Sequence, residues 1–507
     1  MSGAERVIVS KKLRNAALQC PPPQKQKKKK PFKKPSSSHP VPAKKKKPIL
    51  SAIPLCKMSG SNAEDPNLLD PDEAAEEIPN GDGGDVPMDS DSDGDDPLEL
   101  TLANDAKAYF DKHGDSIFAI AAHPSDPSIF ITGGGDDTAY IWTPDHVPSD
   151  PDEASIIPRE AKQLARLSGH GDSVSAAAFL LGGAYAVTGG LDGKIQLYAA
   201  ADGWKLVDEA QEVQEVVWIA ERPAVENSFA LGASDGSVWV YSVNDEKKLQ
   251  IQHALYLHTG SCTAGAWTRS GELLATVSDD GSLYVWDVDD SGRAVVALTA
   301  ADQRFAVDGG FFSLAVSPSG AVAAVGGATG EMKVIGLPSP RAIPAGRRGA
   351  GRSQPGGGGS TGGSQAGRIL ASLHMHTESI ESLSFHPTQP LLASACVGGK
   401  IVIYDAARGY SVRTTLGEEG GHTDAVVKVE FVNTDGWILT SCGVDGTVRR
   451  WDARAGVELG CWRGHLGGNE AEGEGGVLGF VQTRDRIVTA GDEYVFYHSP
   501  MRFAFPC

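Results

Sequence analysis

"TVSDDGSLYVWD", residues 276–287, is the stretch that decides the fold. Thr276 and Val277 end one run of strand-forming residues, and Leu283 begins another that is rich in β-branched and aromatic side chains. The segment Asp279–Gly281 separates the two runs. Because Gly tolerates a positive φ and Asp can hydrogen-bond its own backbone in a turn, the stretch is predicted to form a β-hairpin.

The second strand of this hairpin is apolar on both faces. Along an extended strand, Leu283 and Val285 point one way, and Tyr284 and Trp286 point the other. Such a strand needs cover on both sides. The hairpin is therefore predicted to be one unit of a larger β structure.

The same strand–turn–strand pattern recurs along the chain. The other copies are "ITGGGDDTAYIW" (131–142), "VTGGLDGKIQLY" (187–198), "ALGASDGSVWVY" (230–241), "AVGGATGEMKVI" (324–335), "SACVGGKIVIYD" (394–405), "TSCGVDGTVRRWD" (440–452) and "VTAGDEYVFYH" (488–498). Their turns, from Asp137 to Glu493, are separated by 56, 43, 45, 49, 69, 47 and 47 residues. A period in the forties, with Trp-Asp ending two units, is typical of WD40 blades. We predict an all-β fold, an eight-bladed WD40 β-propeller over residues 102–507.

Two of the spacings are long because the chain carries insertions. Residues 143–160 and 336–367 are rich in Pro, Gly or Ser, and each follows the third strand of its blade. The second insertion also has spaced Arg residues, so contact with RNA is the alternative to a plain flexible loop. The final hairpin supplies inner strands of the last blade, and residues 106–110, "AKAYF", are expected to close the ring there.

The beginning of the sequence carries two blocks of opposite charge. Residues 1–57 hold 16 Lys or Arg and one acid, whereas residues 58–105 hold 16 acids and no Lys or Arg. Neither composition can bury a core, so residues 1–57 and 58–101 are predicted to be disordered. For the basic block, three alternatives stay open: an import signal or RNA-binding tail, a solvated tail, and a gene-model extension before a start at Met58. The net charge is −19, and residues 106–507 alone carry −18, so the predicted propeller is itself acidic.

The composition also argues against several classes of protein. No run of 18 or more apolar residues occurs, so we predict no transmembrane helix. The seven Cys are scattered and contain no Cys-x-x-Cys pair, which argues for a reducing compartment and against disulfides or a zinc site. We expect no cofactor and no metal.

Several blades offer His, Ser or Thr, and Asp together, as a hydrolase does. A set repeated around a ring is better explained as architecture, because buried polar groups need hydrogen-bond partners. His422, Ser441, Asp445 and Trp451 match the structural network of WD repeats in full. Since no nucleophile elbow, P-loop or His-Glu-x-x-His motif occurs, we predict that the protein is not an enzyme.

One face of the predicted ring is rich in acids. In a propeller, the loops before the first strand and between the second and third strands of every blade share one face, the top face. Its acids include Asp115, Asp136, Asp172, Glu212, Glu215, Asp279, Glu378, Glu381, Asp424, Glu470, Glu472 and Glu474. A concentrated negative face attracts a basic partner and repels a nucleic-acid backbone, so we expect no direct binding of DNA.

Six of these acids are the predicted binding residues for a basic partner. They lie just after the start of a blade, where the loops meet the central channel. They are Glu378 and Glu381 of "HTESIESLSF" (376–385), with Asp115, Asp172, Glu215 and Asp424 in support.

Several stretches resemble one family of WD40 proteins. These are "AYFDKHGDSIFAIAAHP" (108–124) leading into "TGGGDDTAYIW" (132–142), "SGHGDSV" (168–174) and "SIESLSF" (379–385). They are similar to the family of angio-associated migratory cell protein, whose fungal members are ribosome-assembly factors named as suppressors of QSR truncations. The resemblance implies a dedicated chaperone. Its acidic top face would capture the basic N-terminal segment of a newly made large-subunit ribosomal protein, number ten in yeast, for 60S assembly.

An adaptor propeller is the alternative function, either a ubiquitin-ligase substrate receptor or a signalling scaffold. It would also lack catalysis, but it would be expected to carry a docking motif or second domain, and none is recognised. We expect a monomer without membrane association. It should act in the cytoplasm, and also in the nucleus if residues 1–57 serve as an import signal.

Overall fold

The computed structural model describes residues 106–144, 159–290, 292–338, 365–417, 420–432, 436–465, 475–482, 486–492 and 495–498. Within these ranges the chain forms eight sheets, seven of four strands and one of five. The prediction of an all-β, eight-bladed propeller is therefore confirmed. The predictions for residues 1–57 and 58–101 concern residues outside the described part of the chain.

Each of the first four blades runs from an innermost strand to an outermost strand. Blade 1 has β2 (Ile117–Ala122), β3 (Phe130–Gly134), β4 (Thr138–Thr143) and β6 (Lys162–Ser168). Blade 2 has β7 (Val174–Leu180), β8 (Tyr185–Gly190), β9 (Lys194–Ala199) and β10 (Lys205–Gln211). Blade 3 has β11 (Val216–Glu221), β12 (Ser228–Ala233), β13 (Val238–Val243) and β14 (Leu249–Leu255). Blade 4 has β15 (Cys262–Trp267), β16 (Leu273–Ser278), β17 (Leu283–Asp287) and β18 (Arg293–Leu298).

The other four blades follow the same order, with a change at the end. Blade 5 has β19 (Phe311–Val316), β20 (Val322–Gly327), β21 (Met332–Gly336) and β22 (Ile369–Leu373). Blade 6 has β23 (Ile380–Phe385), β24 (Leu391–Cys396), β25 (Ile401–Asp405) and β26 (Ser411–Leu416). Blade 7 has β27 (Val426–Phe431), β28 (Ile438–Gly443), β29 (Val448–Asp452) and β30 (Val457–Trp462). Blade 8 has β31 (Val477–Gln482), β32 (Ile487–Gly491), β33 (Val495–His498), β1 (Ala108–Phe110) and β5 (Arg159–Glu160). Short 3-10 turns span Leu181–Gly183, Ala200–Asp202 and Ala406–Arg408.

The hairpin that decides the fold is built as the sequence predicts. Strands β16 and β17 pair antiparallel, with Leu274 opposite Trp286, and every residue of β17 is buried. Gly281 has a φ of 77°, which is the left-handed region that favours glycine. Both faces of the strand are covered, as a two-sided apolar pattern requires.

The ring closes by joining the two ends of the described chain. The innermost strands contact one another in order around the ring, and β31 contacts β2. Strand β1 pairs antiparallel with β33, which confirms that residues 106–110 close the last blade. Strand β5 then pairs parallel with β1 and lies outside it. Residues 159 and 160 had been assigned to an insertion on composition alone. Their strand is held by backbone bonds from Arg159 and Ala161, and Glu160 forms an ion pair with Lys112.

The two described ends of the blade 5 insertion lie next to each other at the edge of the sheet. The insertion lies between β21 and β22, as expected, and residues 339–364 are outside the described ranges. Its described ends meet, because the Gly367 amide donates to the Gly336 carbonyl over 2.8 Å.

Candidate functional site

The predicted hydrogen-bond network is present in blade 7. The indole N–H of Trp451 donates to Ser441 Oγ (2.8 Å), and Ser441 Oγ lies 2.8 Å from His422 Nε2. Because an indole nitrogen can only donate, the serine hydroxyl is free to donate to Nε2, and Nδ1–H then donates to Asp445 (3.0 Å). Burial alone would raise the pKa of Asp445, but hydrogen bonds from His422 and Thr447 outweigh it and hold the pKa below its usual range.

Related networks recur in other blades. His113 joins Thr132 and Asp136 in blade 1 at 2.9 and 3.1 Å. The same arrangement in blade 2 joins His170 to Thr188 and Asp192. The hydroxyl groups of Thr132, Thr188 and Ser441 belong to residues with 0% exposure. A hydroxyl buried to this extent cannot reach a substrate, so these sets hold blades together.

The top face is defined by one backbone hydrogen bond in every blade. The amide at the start of the turn between the second and third strands donates to a carbonyl of the loop before the first strand. The eight pairs are Gly135–Ser116, Leu191–Ser173, Ser234–Glu215, Asp279–Ser261, Ala328–Gly310, Val397–Ser379, Val444–Ala425 and Asp492–Gly476. Both kinds of loop therefore lie at the same end of every blade.

Four of the six predicted binding acids lie at one equivalent position. Each is two residues before the first residue of an innermost strand; these are Asp115, Asp172, Glu378 and Asp424. The three Asp residues each accept a hydrogen bond from the next backbone amide, which holds the carboxylate at the loop. Glu215 is one residue closer to its strand, and Glu381 is inside β23. The six acids therefore come from blades 6, 7, 1, 2 and 3. The predicted top-face acids at residues 470, 472 and 474 are outside the described ranges.

These top-face acids lack the cationic partners that acids have elsewhere. Where the chain is described, no Lys or Arg forms an ion pair with Asp115, Asp172, Glu215, Glu378 or Asp424. Some acids at the opposite, bottom end of the blades do pair with cations, namely Asp202 with Lys247 (2.7 Å) and Asp289 with Arg222 (2.7 Å). The five predicted binding acids thus leave negative charge on the top face that no ion pair with Lys or Arg neutralises within the described ranges.

Mutual repulsion on the top face is visible in the protonation of two turn residues. Burial and the nearby charges of Asp172, Asp136 and Asp192 raise the pKa of Asp137. Burial and the adjacent Asp280 raise the pKa of Asp279 to about 6. Burial is the larger cause of both shifts, and repulsion from neighbouring carboxylates adds to it.

Asp137 was recognised in the sequence only as a turn residue. Its φ is 60°, whereas the equivalent residues of six other blades are glycines with φ between 72° and 84°. Asp in place of glycine in an otherwise regular series of turns is the sequence signal that could have marked it.

Features of other classes of site are lacking within the described ranges. No group of three or more His, Cys, Asp or Glu there is placed to hold a metal ion. Cys262, Cys396, Cys442 and Cys461 are free thiols. No helix in the described chain is long and apolar enough to cross a membrane.

Comparison with known proteins agrees with the fold. The sequence matches the WD40 family, "WD domain, G-beta repeat", at residues 106–143, 161–198, 249–287, 367–405 and 412–452. It is 30% identical to ribosome assembly protein SQT1 of Saccharomyces cerevisiae, over 80% of this chain and 88% of that protein. It is 24% identical to human angio-associated migratory cell protein, over 77% of this chain and 79% of that protein.

A solved structure of a relative has the same architecture. Sqt1 of Chaetomium thermophilum, bound to the N-terminus of the ribosomal protein L10, is 42% identical with a TM-score of 0.67, over 78% of this chain and 100% of that chain. A second structure, of Sqt1 from the same fungus, is 41% identical with a TM-score of 0.68, over 79% of this chain and 99% of that chain. The chain therefore belongs to the WD40-repeat family of the ribosome assembly protein SQT1.

Proposed function

We propose that this protein is a non-catalytic chaperone for a large-subunit ribosomal protein of the L10 type in assembly of the 60S subunit. It captures the basic N-terminal segment of the newly made client on the acidic top face. The six acids Asp115, Asp172, Glu215, Glu378, Glu381 and Asp424 provide the binding charge.

The observation that carries this proposal is the set of unpaired acids at one end of the ring. Five of the six predicted binding acids, from blades 6, 7, 1, 2 and 3, form no ion pair with Lys or Arg in the described structure. Unpaired carboxylates are suited to an external cation. The Sqt1 structure from Chaetomium thermophilum, which holds the N-terminus of ribosomal protein L10, supports a basic peptide as that partner.

The charges must act together. An exposed ion pair contributes about 0–1 kcal/mol, so one carboxylate cannot hold a client. An arc of acids that faces several Lys or Arg residues adds these contributions and also speeds encounter. Release needs no nucleotide in this scheme, because ribosomal RNA competes for the same positive charges.

The lack of catalysis is part of the proposal. The His, Ser, Thr and Asp residues that resemble a hydrolase set are used in buried networks, such as that of His422 and Ser441. We propose the cytoplasm as the place of action, where new ribosomal proteins are made.

A calorimetric titration tests the proposal. The client's N-terminal peptide is titrated into the wild type and into the double variant Glu378→Lys with Glu381→Lys. We expect the wild type to bind, with an affinity that falls steeply between about 0.05 and about 0.5 M salt. The double variant should show no measurable binding, because repulsion replaces attraction.

A matched control separates the site from net charge. Asp245→Lys with Glu246→Lys makes the same change in net charge at exposed acids of the β13–β14 turn, on the bottom face. This control should bind like the wild type, and all three proteins should melt at similar temperatures. Equal affinity in both double variants would show that the top-face acids only solvate the ring.

A further inference from the structure

Every innermost strand carries a β-bulge at the same place. In blade 1, Ile117 pairs with Gly134 and Ala119 pairs with Gly133, so Phe118 is an extra residue between them. The same shift follows the first residue of the innermost strand in all eight blades. A bulge re-aims its side chain relative to a regular strand. The bulge residues are Phe118, Ser175, Val217, Thr263, Phe312, Glu381, Val427 and Leu478.

The bulge residues lie at the top end of the innermost strands, which follow one another around the ring. Each follows directly on a top-face loop, and two of them report their direction through hydrogen bonds. Ser175 Oγ donates to the Val216 carbonyl (2.5 Å), at the start of the next innermost strand. Thr263 Oγ1 donates in the same way to the next blade (2.6 Å). These two side chains therefore bridge neighbouring blades at the top of the innermost strands.

Four bulge residues form an apolar set that the core does not absorb. Phe118, Val217, Phe312 and Leu478, here called the apolar collar, are half-buried and belong to none of the core clusters of the described chain. Val427, by contrast, packs against the core between blades 7 and 8. The four side chains share one position, at the top of the innermost strands. Apolar side chains that stay partly exposed at one such level suggest a binding surface.

The collar is continuous with the acidic loops. A Cβ atom placed on Gly135 would lie 3.1 Å from Asp115 Cγ and 3.3 Å from Phe118 Cε2, so the carboxylate and the ring flank one turn. In blade 6 the bulge residue is Glu381 itself. Apolar residues at the centre with charges around them are the usual arrangement of a binding hot spot.

We propose that the apolar collar binds an aromatic or aliphatic side chain of the captured segment, whose Lys and Arg residues meet the surrounding acids. This rests on the proposed function and adds a selectivity to it: the recognised segment is amphipathic as well as basic. The charge complementarity of the surrounding acids favours a basic segment as the occupant. Polycationic peptides without an apolar anchor are then poor ligands, which separates the client from other basic chains in the cell.

Two peptides test the collar on the unaltered protein. One is the N-terminal peptide of the L10-type client, and the other has each aromatic and aliphatic residue replaced by Ser with all charges kept. We expect the affinity of the Ser peptide at low salt to be lower than that of the parent peptide by about tenfold or by a larger factor. At about 0.5 M salt the parent peptide should keep measurable binding and the Ser peptide should lose it, because apolar contacts are not screened.

Variants of the collar locate the effect. Phe118→Ser with Phe312→Ser should bind both peptides with equal affinity, whereas Phe118→Leu with Phe312→Leu should still prefer the parent peptide. Thermal melting checks that both variants fold. If the Ser variant does not fold, the comparison of the two peptides on the wild type still tests the collar.

The outcomes distinguish the two proposals. Equal affinity of the two peptides for the wild type overturns the collar and leaves the acidic capture site in place. Binding of neither peptide overturns both. A preference for the parent peptide that the Phe118→Ser, Phe312→Ser variant retains in full places the anchor elsewhere and overturns the collar.

Discussion

Tyr109 lies opposite Phe496 in an antiparallel pair, so a strand from the start of the described chain completes a blade built from its end. The next residue, Phe110, has 0% exposure and stacks on Trp142 of blade 1 at 5.2 Å between ring centroids. Strand β1 thus pairs with blade 8 and packs its side chain into blade 1. This single strand ties the first and last blades together.

Truncation should show how much the ring depends on β1. Deletion of residues 58–100 should leave the melting temperature nearly unchanged, because the first described strand begins at Ala108. Deletion extended through residue 112 should unfold or aggregate the protein, since it uncovers the edge of β33 and removes Phe110 from the core. Thermal melting and size-exclusion chromatography measure both effects. A longer truncation that melts like the parent would mean that the ring does not need this closure.

Removing one carboxylate from the blade 7 network should destabilise the protein. Asp445→Ala leaves His422 Nδ1 and the Thr423 amide without their acceptor. The expected loss is about 1–3 kcal/mol in the free energy of unfolding, measured by urea denaturation.

The control for this change is an acid on the other top-face loop of the same blade. Asp424→Ala removes an exposed carboxylate that accepts only from the next amide, Ala425, so its effect should be small. Losses of equal size in the two variants would contradict the role of the buried network. A purified wild type with hydrolase turnover that Asp445→Ala removes would contradict the absence of catalysis.

The sequence predicts those parts of the fold that depend on local rules. Alternation, turn glycines such as Gly281 and the spacing of the repeats all act over a few residues, and they are sufficient for eight blades. Strand β5 was not foreseen because two residues, Arg159 and Glu160, carry no period, and their pairing with β1 is made across the ring closure.

The candidate site was predicted only in part for a related reason. The acids could be placed on the top face from their position before each strand. The bulges could not, because the residue without a partner, such as Phe118, is known only once the register with the second strand is fixed.

Blade 6 offers a gain of stability at one glycine. His376 Nε2 lies 2.6 Å from Ser394 Oγ, but its buried Nδ1 has no hydrogen-bond partner in the described structure. Gly398 occupies the turn position that Asp445 has in blade 7. The three atoms nearest to a Cβ atom at Gly398 would be those of the Glu378 carboxyl group, at 3.4 Å or more, so the site has room.

Gly398→Asp should therefore stabilise the protein by about 1 kcal/mol, because the new carboxylate can accept from the buried imidazole. It should also raise the pKa of His376, which burial and the nearby charge of Lys400 lower to about 4. Denaturation and NMR titration of the imidazole provide the two measurements. Gly399→Asp is the matched control: its φ is 74° and its Cβ would lie 2.8 Å from the His422 carbonyl, so it should destabilise. A Gly398→Asp protein no more stable than the wild type, with the His376 pKa unchanged, would contradict the assignment.

The last prediction concerns two neighbouring aspartates, Asp279 and Asp280. Replacing each by Asn should change the free energy of unfolding at pH 7 in opposite directions. Asp279 has a folded-state pKa raised to about 6 by burial and by Asp280, so its ionisation opposes folding above that pH. Asp279→Asn should raise the free energy of unfolding at pH 7 by about 1 kcal/mol, a value reduced for its partial exposure. The difference from the wild type should shrink as the pH falls from about 6 to about 4, where the folded wild type takes up the proton.

Asp280 should behave in the opposite way. Burial raises its pKa, but hydrogen bonds from Ser282 and Thr259 outweigh burial and hold the pKa below its usual value. Asp280→Asn should therefore destabilise at pH 7, and its effect should also fade as the pH drops below about 4. Burial lowers the pKa of His258 to about 4, although the charge of Asp280 raises it, so the wild type loses stability from about pH 6.5 downwards. This contribution cancels in the Asp279→Asn difference, whereas Asp280→Asn also removes a charge that favours protonated His258, which adds to the loss of stability at low pH. Urea denaturation at pH 7, 5.5 and 4 measures the two differences. If both variants shift stability in the same direction at pH 7, charge crowding does not govern this part of the top face.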